Sequence, residues 1–147
     1  MTNSSKKINK TLKDITYSPK ILIAWKEAIK GNKGIRKWLT INGYQELGVF
    51  CHALTNDFKA KNWLLDNGYP HLLALINGAE GDQKALKWLL QLKFDVLFHM
   101  AKAADSYKYS KDFLKHKDPL LLAIAIEMET IKDQIDDNYI DPHKLNP

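Results

Sequence analysis

Five histidines and one cysteine are the side chains of this chain that could bind a metal ion or act in nucleophilic catalysis. No His-x3-His, Cys-x2-Cys or His-Glu-x2-His occurs, so the usual spacings of zinc ligands are absent. Cys51 and His52 are neighbours on a predicted helix, where adjacent side chains point about 100° apart and cannot pair as nucleophile and base. We therefore predict no catalytic residue, no metal ligand and no cofactor, and a buried structural thiol at Cys51. The histidines occupy unrelated positions: His52, His71, His99, His116 and His143.

Charge is distributed unevenly along the chain. Residues 1–40 contain ten Lys or Arg against two Asp or Glu, whereas residues 118–147 contain two against seven. Basic runs bind phosphate backbones through counterion release, so a nucleic-acid contact is one prediction for the N-terminus. A solvated tail is the alternative, and no aromatic residue lies among these lysines to stack on bases. The candidate nucleic-acid contacts are Lys6, Lys7, Lys10 and Lys13.

These side chains must be positioned by a repeat with a fixed step of 25 residues. Self-similarity at such a period indicates stacked helical units that bury their apolar faces against each other. We expect the aromatic ladder to lie in the core, because short helices depend on tertiary packing. The two clearest ladders are Trp38, Trp63, Trp88, Phe113 and Leu22, Leu47, Leu72, Leu97, Leu122.

Within each unit the spacing predicts two short helices. Leu72, Leu75, Ile76 and Ala79 fall at i, i+3, i+4 and i+7, which is one face of a helix. Asn32, Asp57 and Asp82 share one position and are N-cap residue types for the second helix, and Gly43 and Gly68 suit a left-handed C-terminal cap. The predicted fold is all-α: a right-handed α-solenoid of four helix–turn–helix repeats plus a C-terminal capping helix.

The predicted boundaries follow from the same ladders. A linear stack would place the basic start and the acidic end of the chain at opposite tips. We expect a flexible basic tail at residues 1–17, a helical repeat domain at 18–137 and a C-terminal tail at 138–147. Within the domain, the repeats are 19–43, 44–68, 69–93 and 94–118, and the capping helix is 119–137.

The second-helix segments resemble the helical part of an ankyrin repeat. Residues 53–68 read Ala-Leu-Thr-Asn-Asp-Phe-Lys-Ala-Lys-Asn-Trp-Leu-Leu-Asp-Asn-Gly, which has the ankyrin order of Ala, a turn, an apolar residue, Leu-Leu and Gly. The Thr-Pro-Leu-His opening and the β-turn finger are missing, and the period is shorter than the ankyrin period of about 33. The resemblance covers residues 19–118 and implies a binding scaffold, without specifying a partner.

The positions that differ from unit to unit suggest where a partner binds. On the first helices they are predicted to point away from the core, on the face that solenoids use for contact. We expect a non-enzymatic, cytoplasmic scaffold for a protein or peptide, with nucleic-acid binding through the basic N-terminus as the alternative. No membrane partner is expected, and the chain is predicted to be a monomer or to self-associate through its oppositely charged ends. The predicted partner-binding residues are Gln45, His52, His71, Asn77, His99 and Lys102.

Overall fold

A computed structural model describes residues 12–145, with side chains placed from 12 to 137. This part of the chain forms nine α-helices and no strand, as the periodicity predicts. The helices are α1 Pro19–Lys30, α2 Lys33–Ile41, α3 Gln45–Leu54, α4 Phe58–Asp66, α5 Pro70–Ala79, α6 Gln83–Gln91, α7 Asp95–Ala104, α8 Lys108–Lys117 and α9 Pro119–Leu145. Lys6, Lys7 and Lys10 lie outside the described residues.

The predicted capping residues begin and end the helices as expected. The side chains of Asn32, Asp57 and Asp82 accept hydrogen bonds from backbone amides in the first turns of α2, α4 and α6. Gly43 and Gly68 follow α2 and α4 with φ angles of 92° and 90°, a conformation that glycine adopts without strain. Local sequence signals therefore fix where α2, α4 and α6 start and where α2 and α4 stop.

The first helices of the hairpins, α1, α3, α5 and α7, pack on one another in chain order. Each second helix, α2, α4 and α6, packs against the first helices before and after it, and α8 packs between α7 and α9. The centre of the core repeats the 25-residue step, since the same repeat position in each first helix holds a large, wholly buried side chain. These side chains are Trp25, Phe50, Leu75 and Met100.

The terminal helix α9 makes more contacts than a cap at one end requires. It packs against α7 and α8, as expected, and also against α1 and α3. The Lys132 Nζ donates hydrogen bonds to the Ala79 carbonyl at the end of α5, at 2.8 Å, and to the Asp105 carboxylate, at 2.9 Å. A linear stack would leave its first and last helices apart, whereas here they are in contact. Helices from the basic first segment and the acidic last segment, α1 and α9, are therefore in contact instead of lying at opposite tips.

Both predicted tails differ from the structure where it describes them. The segment 12–17 packs on the helices: the Asp14 carboxylate accepts hydrogen bonds from the Val96 and Leu97 amides at the start of α7, each at 3.1 Å. At the other terminus, α9 continues to Leu145 instead of ending near Asp137. Within the described range, residues 12–17 therefore pack on the helices and residues 138–145 continue α9.

The aromatic ladder is less buried than predicted. Trp38 is 37% exposed, and Trp63, Trp88 and Phe113 are partly buried against the core. These residues lie on the second helices, which form the outer layer and keep one side in water. The buried tryptophan is Trp25, on a first helix.

The predicted burial of the Cys51 thiol is confirmed. Cys51 is 2% exposed, and burial raises the pKa of its thiol to about 11, as a structural cysteine requires. The small residue at Gly78 permits close packing of α5 on α7, since a Cβ there would lie 3.0 Å from the Ala101 Cβ. Within residues 12–145, no helix is both long enough and apolar enough to cross a membrane.

Candidate binding groove

The structure separates the six predicted partner-binding residues into four places. Gln45 and His52 are exposed and line a groove between α2 and α3. Asn77 is partly buried and lines a similar groove between α5 and α6. His71 is only 6% exposed, so it does not point away from the core as expected. The residues therefore do not form one continuous row.

His99 and Lys102 make contacts within their own hairpin. The His99 ring stacks on Phe113 with centroids 3.9 Å apart, and its Nδ1 lies 2.8 Å from the Ser110 Oγ. Burial lowers the pKa of His99. The Lys102 Nζ lies 3.6 Å from the centroid of the Tyr107 ring, within range of a cation–π interaction. Both side chains are engaged by α8 or the turn before it, which leaves them less available to a partner than Gln45 and His52.

The groove between α2 and α3 is built by one face of each helix, and we call it the α2–α3 groove. Its volume is about 360 Å³. On each helix the lining residues fall at i, i+3, i+4 and i+7, which is the spacing of a single helical face. From α2 they are Lys33, Arg36, Lys37 and Thr40, and from α3 they are Gln45, Gly48, Val49 and His52.

Gly48 permits the close approach of the two helices. A Cβ at this position would lie 2.8 Å from the Thr40 Oγ1 and 3.3 Å from the Arg36 carbonyl oxygen. The Thr40 Oγ1 donates a hydrogen bond to that carbonyl at 3.0 Å, and the Arg36 Nε donates to the Ala28 carbonyl at 2.8 Å. These bonds hold the groove wall in place and tie α2 to the end of α1.

The α2–α3 groove is positively charged. Its lining contains three cationic side chains, Lys33, Arg36 and Lys37, and no carboxylate. Within the part of the chain that the structure describes, none of the three is in an ion pair. Lys33 and Lys37 are exposed, so their ammonium groups are available to an anionic partner.

The groove between α5 and α6 uses the same face of the first helix, one repeat later. Its volume is about 330 Å³, and Asp82 offsets the charge of Lys84 at its edge. Its remaining lining is mainly apolar, with Leu73 and Trp88 among its residues. The two grooves therefore share the face of the first helix, but α2 precedes α3 whereas α6 follows α5, and the grooves differ in charge.

Sequence reasoning selected the α3 side of the α2–α3 groove and missed the α2 side. The missing signal was available, since Lys33, Arg36, Lys37 and Thr40 repeat the helical spacing of Gln45, Gly48, Val49 and His52. Lys13, the one candidate nucleic-acid contact within the described range, is exposed beside the segment that packs on α7. Among the described residues, no three His, Cys, Asp or Glu side chains are grouped to hold a metal ion.

Comparison of this chain with protein-family models, with curated proteins and with solved structures finds no match. The resemblance to ankyrin repeats therefore depends on the residues quoted above alone.

Proposed function

We propose that this protein is a non-enzymatic binding scaffold that takes an acidic segment of a partner protein in its α2–α3 groove. In this proposal the four 25-residue hairpins form a helical-repeat array that α9 closes by packing on α1. The observation that carries the proposal is the groove lining, with three cations and no carboxylate.

The chemistry of the groove suits a polypeptide with several carboxylates. Hydrogen bonds between ammonium or guanidinium groups and carboxylates are shorter and stronger than hydrogen bonds between neutral groups. Each exposed ion pair contributes only about 0–1 kcal/mol, so a partner needs several acidic side chains in succession. Gln45 and His52 add neutral hydrogen-bonding groups, and Val49 adds an apolar patch. This combination favours a peptide over a single small anion.

Fluorescence anisotropy with a labelled peptide rich in Asp and Glu tests the proposal. A second peptide, with Asn and Gln at the same positions, serves as the uncharged control. We expect the acidic peptide alone to bind, and the double substitution Lys33→Glu, Lys37→Glu to weaken it at least tenfold. The matched control, Lys115→Glu with Lys117→Glu, makes the same change of charge on exposed residues of α8 and should leave the affinity within about twofold.

Nucleic-acid binding is the second candidate, because the second helices carry a large excess of positive charge. Together α2, α4, α6 and α8 contain eleven Lys or Arg and two Asp. The most exposed rings among them are Phe58 at 75% and Tyr109 at 78% exposure, and exposed rings can stack on bases. Such binding would use the whole outer layer in place of one groove.

The same two double variants separate the candidates. The nucleic-acid proposal replaces the peptide proposal under two conditions. A single-stranded oligonucleotide must bind more tightly than the acidic peptide, and both double variants must weaken its binding equally. Its affinity should then fall steeply with salt. An acidic peptide that does not bind, or that both variants weaken equally, contradicts recognition in the α2–α3 groove.

A further inference from the structure

One position of the repeat contains two ionisable side chains where the other units are apolar. This position is the second or third residue of each first helix and of α9, and it is buried in all five cases. Its occupants, with their exposed fractions, are Ile21 at 4%, Glu46 at 7%, His71 at 6%, Val96 at 8% and Leu121 at 5%. Burying polar groups is unfavourable unless they are paired, so two such residues in adjacent units need an explanation.

Glu46 and His71 line a cavity of about 190 Å³ at the amino ends of α3 and α5, which we call the end cavity. The segment 13–17 covers it, and Tyr69 completes its wall. The Tyr17 hydroxyl donates a hydrogen bond of 2.7 Å to the Glu46 carboxylate. The Nδ1 of His71 has no hydrogen-bond partner among the described residues.

The charge of the end cavity is not balanced by an ion pair. Within the described part of the chain, no Lys or Arg lies within ion-pair distance of Glu46. The second carboxylate of the lining, Asp14, is occupied by the amides of α7. Lys13 lies on the lining but is exposed. An anionic ligand would meet two carboxylates here, whereas a cation would find an available one.

Two phenol rings, those of Tyr17 and Tyr69, line the end cavity together with the carboxylate, and other rings pack against them. The Tyr17 ring lies 6.3 Å from Trp25 and 6.0 Å from Tyr44, and Tyr69 lies 6.1 Å from His71, between ring centroids. Burial lowers the pKa of His71 to about 4, so its imidazole is neutral at physiological pH and one ring nitrogen is a hydrogen-bond acceptor. Aromatic faces, a carboxylate and a neutral imidazole all attract an ammonium group.

We propose that the end cavity binds a small organic cation, an alkylammonium, with its nitrogen between the Glu46 carboxylate and the rings of Tyr17 and Tyr69. In this arrangement the positive charge lies beside the Glu46 carboxylate, to which an N–H donates where the cation has one, and the alkyl part contacts the aromatic rings. The site is separate from the α2–α3 groove and does not depend on the peptide proposal.

The test uses the full chain, labelled with ¹⁵N and titrated with four probes of similar size: butylamine, tetramethylammonium, butanol and butyrate. We expect the two cations to shift the backbone amides of Tyr17, Val96 and Leu97 in a saturable manner, and the alcohol and the carboxylate to leave them unshifted. Equal shifts with butyrate, or no shift with either cation, would overturn the proposal.

Two substitutions and one control locate the site. Glu46→Gln keeps a hydrogen-bond acceptor for Tyr17 and removes the charge, so the affinity for butylamine should fall at least tenfold. His71→Leu places an apolar residue where other units have one, and it should weaken binding about threefold or more while keeping the fold. The control is Glu80→Gln, at an exposed position after α5, which should bind as the unaltered chain does. Unchanged affinity in the two end-cavity variants contradicts the assignment, whatever the control does.

Discussion

At the scale of single residues, His71 has the clearest dependence on pH. Its pKa is lowered by burial to about 4 in the folded protein, below its ordinary value of 6.5. The folded state therefore favours the neutral ring, and this contribution to stability is complete above pH 6.5. It is lost as the pH falls from 6.5 toward 4, because the unfolded chain then binds a proton that the folded chain does not. We expect this effect to lower the free energy of unfolding by up to about 3 kcal/mol as the pH falls from 6.5 to 4.

Urea denaturation at several pH values, compared between the unaltered chain and His71→Leu, measures this contribution. Other groups titrate in the same range, so the difference between the two curves is the informative quantity. It should grow steadily as the pH falls from 6.5 to 4. His116→Leu, which changes an exposed histidine, is the control substitution. Parallel curves for His71→Leu would mean that the histidine is not buried.

The burial of His71 could have been predicted from the sequence. Steps of 25 residues from His71 reach Glu46, Ile21, Val96 and Leu121, and three of these four are apolar. A repeat position at which most residues are apolar faces the core, so the two polar residues at this position should also be predicted to be buried. The comparison of repeat units within the chain instead placed His71 among the variable surface positions. The segment 12–17, which covers His71, has no periodic pattern, so its position could not have been predicted from the sequence.

At the scale of elements, the helix ends show which turns can be predicted from local sequence and which cannot. The turn inside each hairpin needs one residue with positive φ, and these residues recur every 25 positions. At two of these positions the residue is glycine, so the turn can be predicted from the sequence. At the other two, Asn56 and Ser106 adopt the same conformation, with φ of 69° and 73°. Tertiary packing imposes the turn there, since these residue types do not require it.

Gly48 provides a prediction at the contact between two elements. In Gly48→Ala the new Cβ would lie 2.8 Å from the Thr40 Oγ1 and 3.3 Å from the Arg36 carbonyl oxygen, so the Thr40 side chain must rotate or α2 must shift away from α3. Overpacking typically costs about 1–3 kcal/mol, which exceeds the gain of up to about 1 kcal/mol from replacing glycine in a helix. We therefore expect a lower free energy of unfolding in urea, and weaker binding of the acidic peptide in the α2–α3 groove.

The matched control for this variant is Gly34→Ala, on α2. A Cβ there meets only the Asn32 Oδ1 at 3.4 Å, an ordinary van der Waals distance. Without a clash, the gain in helix propensity should raise the unfolding free energy by up to about 1 kcal/mol. The two glycines should thus respond with opposite signs. An increase in both variants would show that α2 and α3 are farther apart than the structure has them.

At the scale of the whole molecule, the contact between α9 and α1 is the feature that sequence reasoning did not provide. Periodicity identifies which residues are equivalent in successive units. It does not give the small rotation between units, which decides whether the two ends of an array stay apart or meet. Ile124 and Met128 of α9 are 0% and 1% exposed. An apolar pattern in the terminal helix was therefore visible, but the helices that cover it were not.

This contact predicts how a defect in α9 spreads. In an open repeat array each unit contacts only its neighbours, so weakening the last helix loosens the last hairpin first and leaves the first helix protected. Here α9 packs on α1 as well as on α7 and α8, so Ile124→Ala should loosen both ends of the chain together. The substitution of a wholly buried isoleucine by alanine should cost about 2–5 kcal/mol.

Native-state hydrogen exchange resolved by residue is the measurement that distinguishes the two architectures. In Ile124→Ala, amides of α1 should exchange faster by a factor similar to those of α7, because both helices lose packing against α9. Leu64→Ala, which removes a wholly buried side chain from α4, is the control, since α4 packs on α3 and α5 and not on the helices at the chain ends. Its fastest exchange should therefore appear around α4. If Ile124→Ala accelerates exchange in α7 and α8 while α1 keeps its protection, the ends of the array do not meet in solution. The protein would then be an open solenoid with α9 as its cap.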